Sequence, residues 1–223
     1  MAEGPVGGRV TGQAYVHPVL EIYARGLFPM ARSARSRSVY LVDPESRGVL
    51  PLKGLQLPRR LQRTVRQDRF DIRINSAFES VLTACADPAR PGGWINPPLR
   101  RMYQGLHAAG AAHSVEAWRD SRLVGGVFGV SLKGAFFGES MFSAETDASK
   151  VALAHLVARL ILGGFHLLDA QFMTDHLSRL GAQEIQRSVY LDRLAAALEV
   201  EAVFGPSTVL SGAAALQVIN QAS

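Results

Sequence analysis

The chain has 223 residues, 48% of them hydrophobic, enough to bury a full core as one large domain or a large one with a small one. Its single cysteine, Cys85, excludes an intramolecular disulfide framework and a cysteine-cluster metal site, and fits a reducing cytoplasm. The N-terminus lacks a basic segment leading into an apolar run, and no apolar run reaches the ~18 residues of a membrane span, so a cytoplasmic, membrane-free protein is expected.

The formal charge of +5 is unevenly spread: residues 1–73 hold 13 Lys/Arg against 6 Asp/Glu. Nearly all the bases are arginine, whose planar fork suits phosphate, so a polyanionic partner is expected. Residues 1–16 are glycine-rich and patternless and read as a loose arm. Pro18 opens a short helix to about Arg25, stopped by Gly26. Arg32, Arg35 and Arg37 sit in a serine-rich loop. Val39–Val42 and Gly48–Leu52 read as short strands. From Pro58 a basic amphipathic helix places Leu57, Leu61 and Val65 on one face and Arg59, Arg60, Arg63 and Arg66 on the others. These residues, 17–67, are expected to form a small basic N-terminal domain.

Phe70–Ile74, which includes Arg73, alternates with period two and reads as a strand. Ser76 with Glu79 has the spacing of a capping box for a helix to about Ala86. Trp94-Ile95-Asn96-Pro97-Pro98 leads into a helix from Leu99 to Ala109. A three-strand meander follows: His113–Arg119, a turn at Asp120-Ser121, Leu123–Leu132, a turn at Lys133-Gly134, and Ala135–Ser143. A helix from Ala148 to Leu162, a strand Leu167–Phe172, a short turn at His176–Leu180 and a helix Ser188–Leu198 complete the pattern. Residues 200–223 carry no assignable pattern, and there are no internal repeats. From residue 68 to 199 this is an α/β (α+β) sheet domain whose element order is that of acetyltransferase-like folds, although fold likeness does not decide function.

Glu139 and Asp169, with Gln171 two places on, stand in apolar strand runs. A buried carboxylate costs several kcal/mol unless it is paired or used, so these groups read either as a pocket floor or as paired structural acids. Val127, Phe136, Met141 and Leu168 surround them in sequence as apolar pocket candidates. The histidines lack metal-ligand spacing, and Ser140 in Gly138-Glu-Ser-Met lacks the second glycine of a nucleophile elbow.

The stretches Tyr23-Ala-Arg-Gly-Leu-Phe-Pro-Met, Trp94-Ile95 with Tyr103, His113-Ser-Val-Glu-Ala-Trp-Arg, Phe137-Gly-Glu-Ser-Met-Phe-Ser and Leu168-Asp-Ala-Gln-Phe-Met-Thr-Asp-His-Leu together resemble the bacterial leucyl/phenylalanyl-tRNA–protein transferases, over roughly Tyr15 to Leu198. The resemblance implies an enzyme that moves Leu or Phe, with Met a further candidate, from charged tRNA to a protein N-terminus beginning with Arg or Lys, feeding N-degron protein degradation. It implies an acetyltransferase-like fold without metal or other cofactor. It makes Asp169 and Gln171 the catalytic pair and Glu139 a supporting acid, and puts Trp94 and Tyr103 at the adenosine end. A monomer is expected. The family's Trp before Asp43-Pro44 is replaced here by Leu41 and Val42; Tyr40 is the nearest aromatic, one residue displaced.

Two rivals compete. An acyl-CoA N-acetyltransferase would need a glycine-rich pyrophosphate loop before the crossover helix; Ser143–Lys150 has no glycine and carries Glu145 and Asp147. A non-catalytic RNA-binding module would leave Glu139, Asp169 and Gln171 without a role.

Overall fold

The computed structural model describes residues 18–55, 57–90, 93–205 and 208–222. The arm expected over residues 1–16 lies outside them. Helix α1 (Pro18–Ala24) leads into β1 (Phe28–Met30), β2 (Tyr40–Val42) and β3 (Ser46–Val49), then α2 (Arg59–Arg66) and β4 (Asp71–Ile74). α3 (Phe78–Cys85) and α4 (Pro97–Ala108) precede the meander β5 (Ala112–Arg119), β6 (Arg122–Leu132) and β7 (Ala135–Ser143). α5 (Ala148–Leu162), β8 (Leu167–Gln171), α6 (Asp175–Ser178), β9 (Gln183–Gln186), α7 (Arg187–Leu198) and α8 (Gly212–Gln221) complete the order.

β1 and β2 form a separate antiparallel pair, and seven strands make one mixed sheet in the order β4-β5-β6-β7-β8-β3-β9. β7 and β8 run parallel. A parallel pair needs a long crossover, and α5 supplies it. Helices cover both faces of the sheet, which is why β6 is buried without a break from Val124 to Val130. Val115, Val127, Phe136 and Leu168 pack with α5, α2 and α8 on one face. Phe128, Val130, Phe137 and Leu167 pack with α1, α3, α4 and α7 on the other. No helix among the described residues is long and apolar enough to cross a membrane.

Four features depart from the sequence reading. β3 begins at Ser46 rather than Gly48, and this strand from the N-terminal third is built into the main sheet between β8 and β9. The unassigned C-terminal residues contain α8, whose Ala215, Leu216 and Ile219 are buried against α5 and α2. Their small apolar side chains leave no polar stripe to mark a helix; only Ser211, which accepts from Ala214 N–H at 3.2 Å as N-cap, announces it. β9, with polar residues at three of its four positions, also escaped the pattern.

The fourth departure is the capping box. Ser76 does not cap α3, and Glu79 pairs instead with Arg100. The cap is Glu116 from β5, which accepts from Ala77 N–H at 2.9 Å, from Ser114 Oγ at 2.8 Å and from Ser76 Oγ. Glu116 is fully buried, so its charge requires several donors, and the helix end supplies one of them.

Candidate active site

Two bulges on adjacent strands build the site. On β7, Ser140 pairs with Phe128 and Gly138 with Gly129, so Glu139 is left without a partner across the ladder. On β8, Gln171 pairs with Gly48 and Asp169 with Val49, so Ala170 is the extra residue. A bulge breaks alternation and re-aims side chains. Strict alternation would put Asp169 and Gln171 on one face with Leu168, Ala170 and Phe172 on the other. Instead all five residues border one cavity. Gly48 permits this crowding, because a Cβ there would lie 3.1 Å from the Phe172 carbonyl carbon.

The cavity holds about 320 Å³. Val127, Met141, Leu153, Leu156 and Leu168 form apolar walls, Met30, Trp94 and Phe172 add further contacts, and Glu139, Asp169 and Gln171 supply the polar groups. Trp94, Val127, Met141, Leu168, Glu139, Asp169 and Gln171, far apart in sequence, are thus brought together. Two predicted pocket residues are not on its walls. Phe136 is fully buried on the same face as Val127 and Leu168, but it packs beside Phe165 and Phe204 rather than on the cavity wall. Tyr103 is also fully buried, with its ring edge-on to Trp94, so no base can stack on it.

Tyr103 has another task. Its hydroxyl donates to Glu139 Oε2 at 2.6 Å, while the Tyr23 hydroxyl donates to Oε1 at 2.7 Å. Burial pushes the Glu139 carboxyl up to about 7, against the tyrosine hydrogen bonds and the Gln171 amide, which favour the charged form. Burial and the Glu139 charge in turn raise both tyrosines. A carboxyl poised near neutrality inside an apolar cavity fits acid–base or amine-holding chemistry.

Asp169 is fully buried and answered by Arg47, whose own exposure is 1%. Arg47 Nε lies 3.0 and 3.1 Å from the two carboxylate oxygens and Nη2 2.7 Å from Oδ2; Tyr190 donates to Oδ2 at 2.9 Å. The guanidinium carbon lies over the Phe28 and Tyr190 rings, 4.5 and 4.3 Å from their centroids. Asp169 Oδ1 also accepts the backbone N–H of Gln171 at 2.7 Å. Gln171 sits at φ +62, a region that costs a non-glycine residue about 1–2 kcal/mol. Its Nε2 is buried and finds no hydrogen-bond partner among the described residues. Asp169 thus holds Gln171 by its backbone, not by its side-chain amide. Sequence reasoning missed Arg47, Tyr190 and Tyr23 as members of the site, although Tyr23 opens the first motif. A charged residue inside Ser46-Arg-Gly-Val was the one available signal for Arg47.

Leu41 and Tyr40 are 50% and 43% exposed on β2, and Tyr40 pairs across the ladder with Met30 of the cavity. The basic residues form a second surface. Arg59, Arg60, Arg63 and Arg66 are all exposed on α2. Arg60 and Arg63 join Arg69 and Arg119 around a polar cleft of about 540 Å³ that also holds Glu145 and Asp147. The two acids are engaged: Glu145 pairs with Arg119, and Asp147 with Lys150 at 2.8 Å. Arg73 stands apart on β4, paired with Asp71 at 2.8 Å and stacked 4.5 Å from the Trp118 ring centroid. Arg32, Arg35 and Arg37 are exposed on the loop before β2.

The family model described as leucyl/phenylalanyl-tRNA protein transferase matches residues 49–195. The chain belongs to this family. A leucyl/phenylalanyl-tRNA–protein transferase of Phenylobacterium zucineum is 57% identical over 213 residues, covering 92% of this chain and 96% of that one. Proteins with the same name from Caulobacter vibrioides and Paramagnetospirillum magneticum are 52% and 54% identical, covering 93% and 89% of this chain and 97% and 96% of theirs. The family match includes Trp94, Tyr103, Glu139, Asp169, Gln171 and Tyr190. Tyr23 and Arg47, which hold two of those groups, lie before its first residue.

Proposed function

We propose that this chain is an aminoacyltransferase that moves leucine or phenylalanine from a charged tRNA to the N-terminal amine of a protein. Membership of the transferase family supports the reaction class. The observation that carries it to this site is the buried Gln171 Nε2, without a hydrogen-bond partner among the described residues, beside a Glu139 carboxyl raised to about 7 in an apolar cavity of side-chain size.

The chemistry follows from what these groups offer. The acceptor's neutral amine attacks the ester carbonyl of the aminoacyl-tRNA; a C–N bond forms, the ester C–O bond breaks, and the amine's proton ends on the departing ribose oxygen. The ester is already activated, so no covalent enzyme intermediate is needed. An amide presents both a donor and an acceptor. Gln171 Nε2 suits the developing oxyanion, and Oε1 suits a hydrogen of the attacking amine. Glu139 holds the amine or a ribose hydroxyl. Trp94, at the cavity rim, takes the terminal adenosine.

The parallel β7–β8 pair, with its α5 crossover, supports the acetyltransferase-like assignment, and the catalytic unit proposed over residues 68–199 is completed by β3 from the N-terminal third. The acceptor class (Arg or Lys at the N-terminus), N-degron targeting, a cytoplasmic location, use of Met, and action as a monomer without cofactor belong to the same proposal. Incubating the protein with leucyl-tRNA and an Arg-initiated peptide, then weighing the peptide, tests it. A mass gain of one leucine residue is expected, and an unchanged mass refutes it.

Two further results are expected. The exposed arginines Arg59, Arg60, Arg63 and Arg66, helped by Arg73, Arg32, Arg35 and Arg37, bind tRNA phosphates. Each lost contact should therefore flatten the slope of log K against log salt by roughly 0.7–0.9. The triple variant Arg60→Ala, Arg63→Ala, Arg66→Ala with unchanged affinity and slope would reduce this face to solvated surface. The apolar walls set donor choice, and such walls separate homologues by only ~1–3 kcal/mol. Met141→Ala should therefore raise the relative use of bulkier aminoacyl groups by about 10-fold, read as kcat/KM ratios on charged tRNAs.

A further inference from the structure

Asp169 does not face the cavity with a free carboxylate. Its oxygens accept from Arg47 Nε and Nη2, from the Tyr190 hydroxyl and from the Gln171 backbone N–H. The last bond spans two residues of the same strand, across the bulge at Ala170, and it coincides with the left-handed backbone of Gln171. Arg47 is itself immobilised, by Nη1 donating to Gly26 O at 2.8 Å and by its position over the Phe28 and Tyr190 rings. One continuous chain of contacts thus runs from the end of α1 to the conformation of Gln171.

We propose that Arg47 and Tyr190 are positioning residues for aminoacyl transfer: they fix the Asp169 carboxylate so that it grips the Gln171 N–H and turns the Gln171 carboxamide into the cavity. The inference rests on the transferase reading above. Neither residue needs to touch a substrate; Arg47 is closed off from solvent and Tyr190 is 1% exposed. Arginine is required because a single side chain must reach both carboxylate oxygens, a backbone carbonyl and two aromatic faces at once, which an ammonium cannot do.

The test measures single-turnover transfer with pre-bound charged tRNA, together with tRNA affinity and melting temperature. Tyr190→Phe keeps the ring over the guanidinium and removes one donor; it should slow transfer about 10-fold at unchanged tRNA affinity. Arg47→Lys keeps the charge and loses the fork, and should cost about 100-fold. In a Gln171→Ala background both substitutions should change the residual rate less than 2-fold, because the group they position is gone. The backbone amide resonance of Gln171 should move upfield and exchange faster in both variants. Equal losses with and without Gln171, or full-rate transfer by a less stable Tyr190→Phe protein, would make Arg47 and Tyr190 structural only and overturn the proposal. A wild-type protein that transfers nothing would instead refute the transferase reading itself.

Discussion

Replacing Gln171 by alanine should lower the single-turnover rate of transfer by on the order of 10²-fold while leaving tRNA affinity and melting temperature close to those of the wild type. The size follows from what is removed. A pre-oriented donor in a dry site is worth roughly 2.7–4 kcal/mol to a developing oxyanion, since it needs no reorganisation when charge appears. The structure explains why stability should be spared. Gln171 Nε2 finds no hydrogen-bond partner among the described residues, so removing it strands no bonded partner there; only its influence on the Glu139 charge is lost. The backbone strain at φ +62 is shared by alanine and glutamine alike. Gln171→Gly sharpens the test: glycine relieves the strain, so that variant should be at least as stable as the wild type and as inactive as the alanine variant. Near-normal transfer by either would mean that the enzyme works by orienting its substrates, with the proton carried by the tRNA hydroxyl or by water.

Glu139→Gln should alter the pH dependence of both stability and rate. The Glu139 carboxyl rises to about 7 in the folded chain from an ordinary value of 4.5, chiefly through burial. A raised carboxyl pKa means that the folded state binds the extra proton between those two values. Its effect is therefore absent below pH 4.5 and grows as a destabilisation as pH rises towards 7, reaching on the order of 3 kcal/mol above it. Urea midpoints of the wild type should fall between pH 5 and pH 8 by more than those of Glu139→Gln. The ionised carboxylate accepts from Tyr23 and Tyr103 together, whereas the amide offers one acceptor oxygen for the two hydroxyls. Wild-type transfer should consequently rise through pH 7, and the variant should lose that limb. Parallel profiles for the two proteins, in urea and in transfer, would remove Glu139 from the working site.

The difference between these two carboxylates was invisible in one dimension. Glu139 and Asp169 both stand in apolar strands two or three residues from an aromatic side chain, and nothing local separates them. In space, Asp169 pairs with a guanidinium 122 positions away, whereas Glu139 accepts from the neutral hydroxyls of Tyr23 and Tyr103. Buried charge is tolerable with a cation and costly without one, so one acid is locked and the other is left near neutrality. The Tyr103 ring shows the same limit. The resemblance puts it with Trp94 at the adenosine end, but only the fold, which sets α4 against β5, shows its ring buried and its hydroxyl on Glu139.

By itself the sequence determined the α/β pattern, the helices and most strands through Leu198 though not β1 or β9, the arginine-rich face of α2 and the family. These rest on local rules: period, glycine and proline stops, and long ordered motifs. It also singled out Glu139, Asp169 and Gln171, because polar groups in apolar strands are costly wherever they fold. Tertiary structure alone decided the rest. It placed β3 between β8 and β9 and so delivered Arg47 to Asp169. It put the two bulges side by side, and it gave α3 its cap from Glu116 rather than from its own Ser76 and Glu79. It also found a partner surface for α8, whose apolar residues carry no contrast until α5 and α2 cover one side. In each case the deciding contact joins residues far apart in the chain, and a sequence period carries no record of which strand will lie next to which.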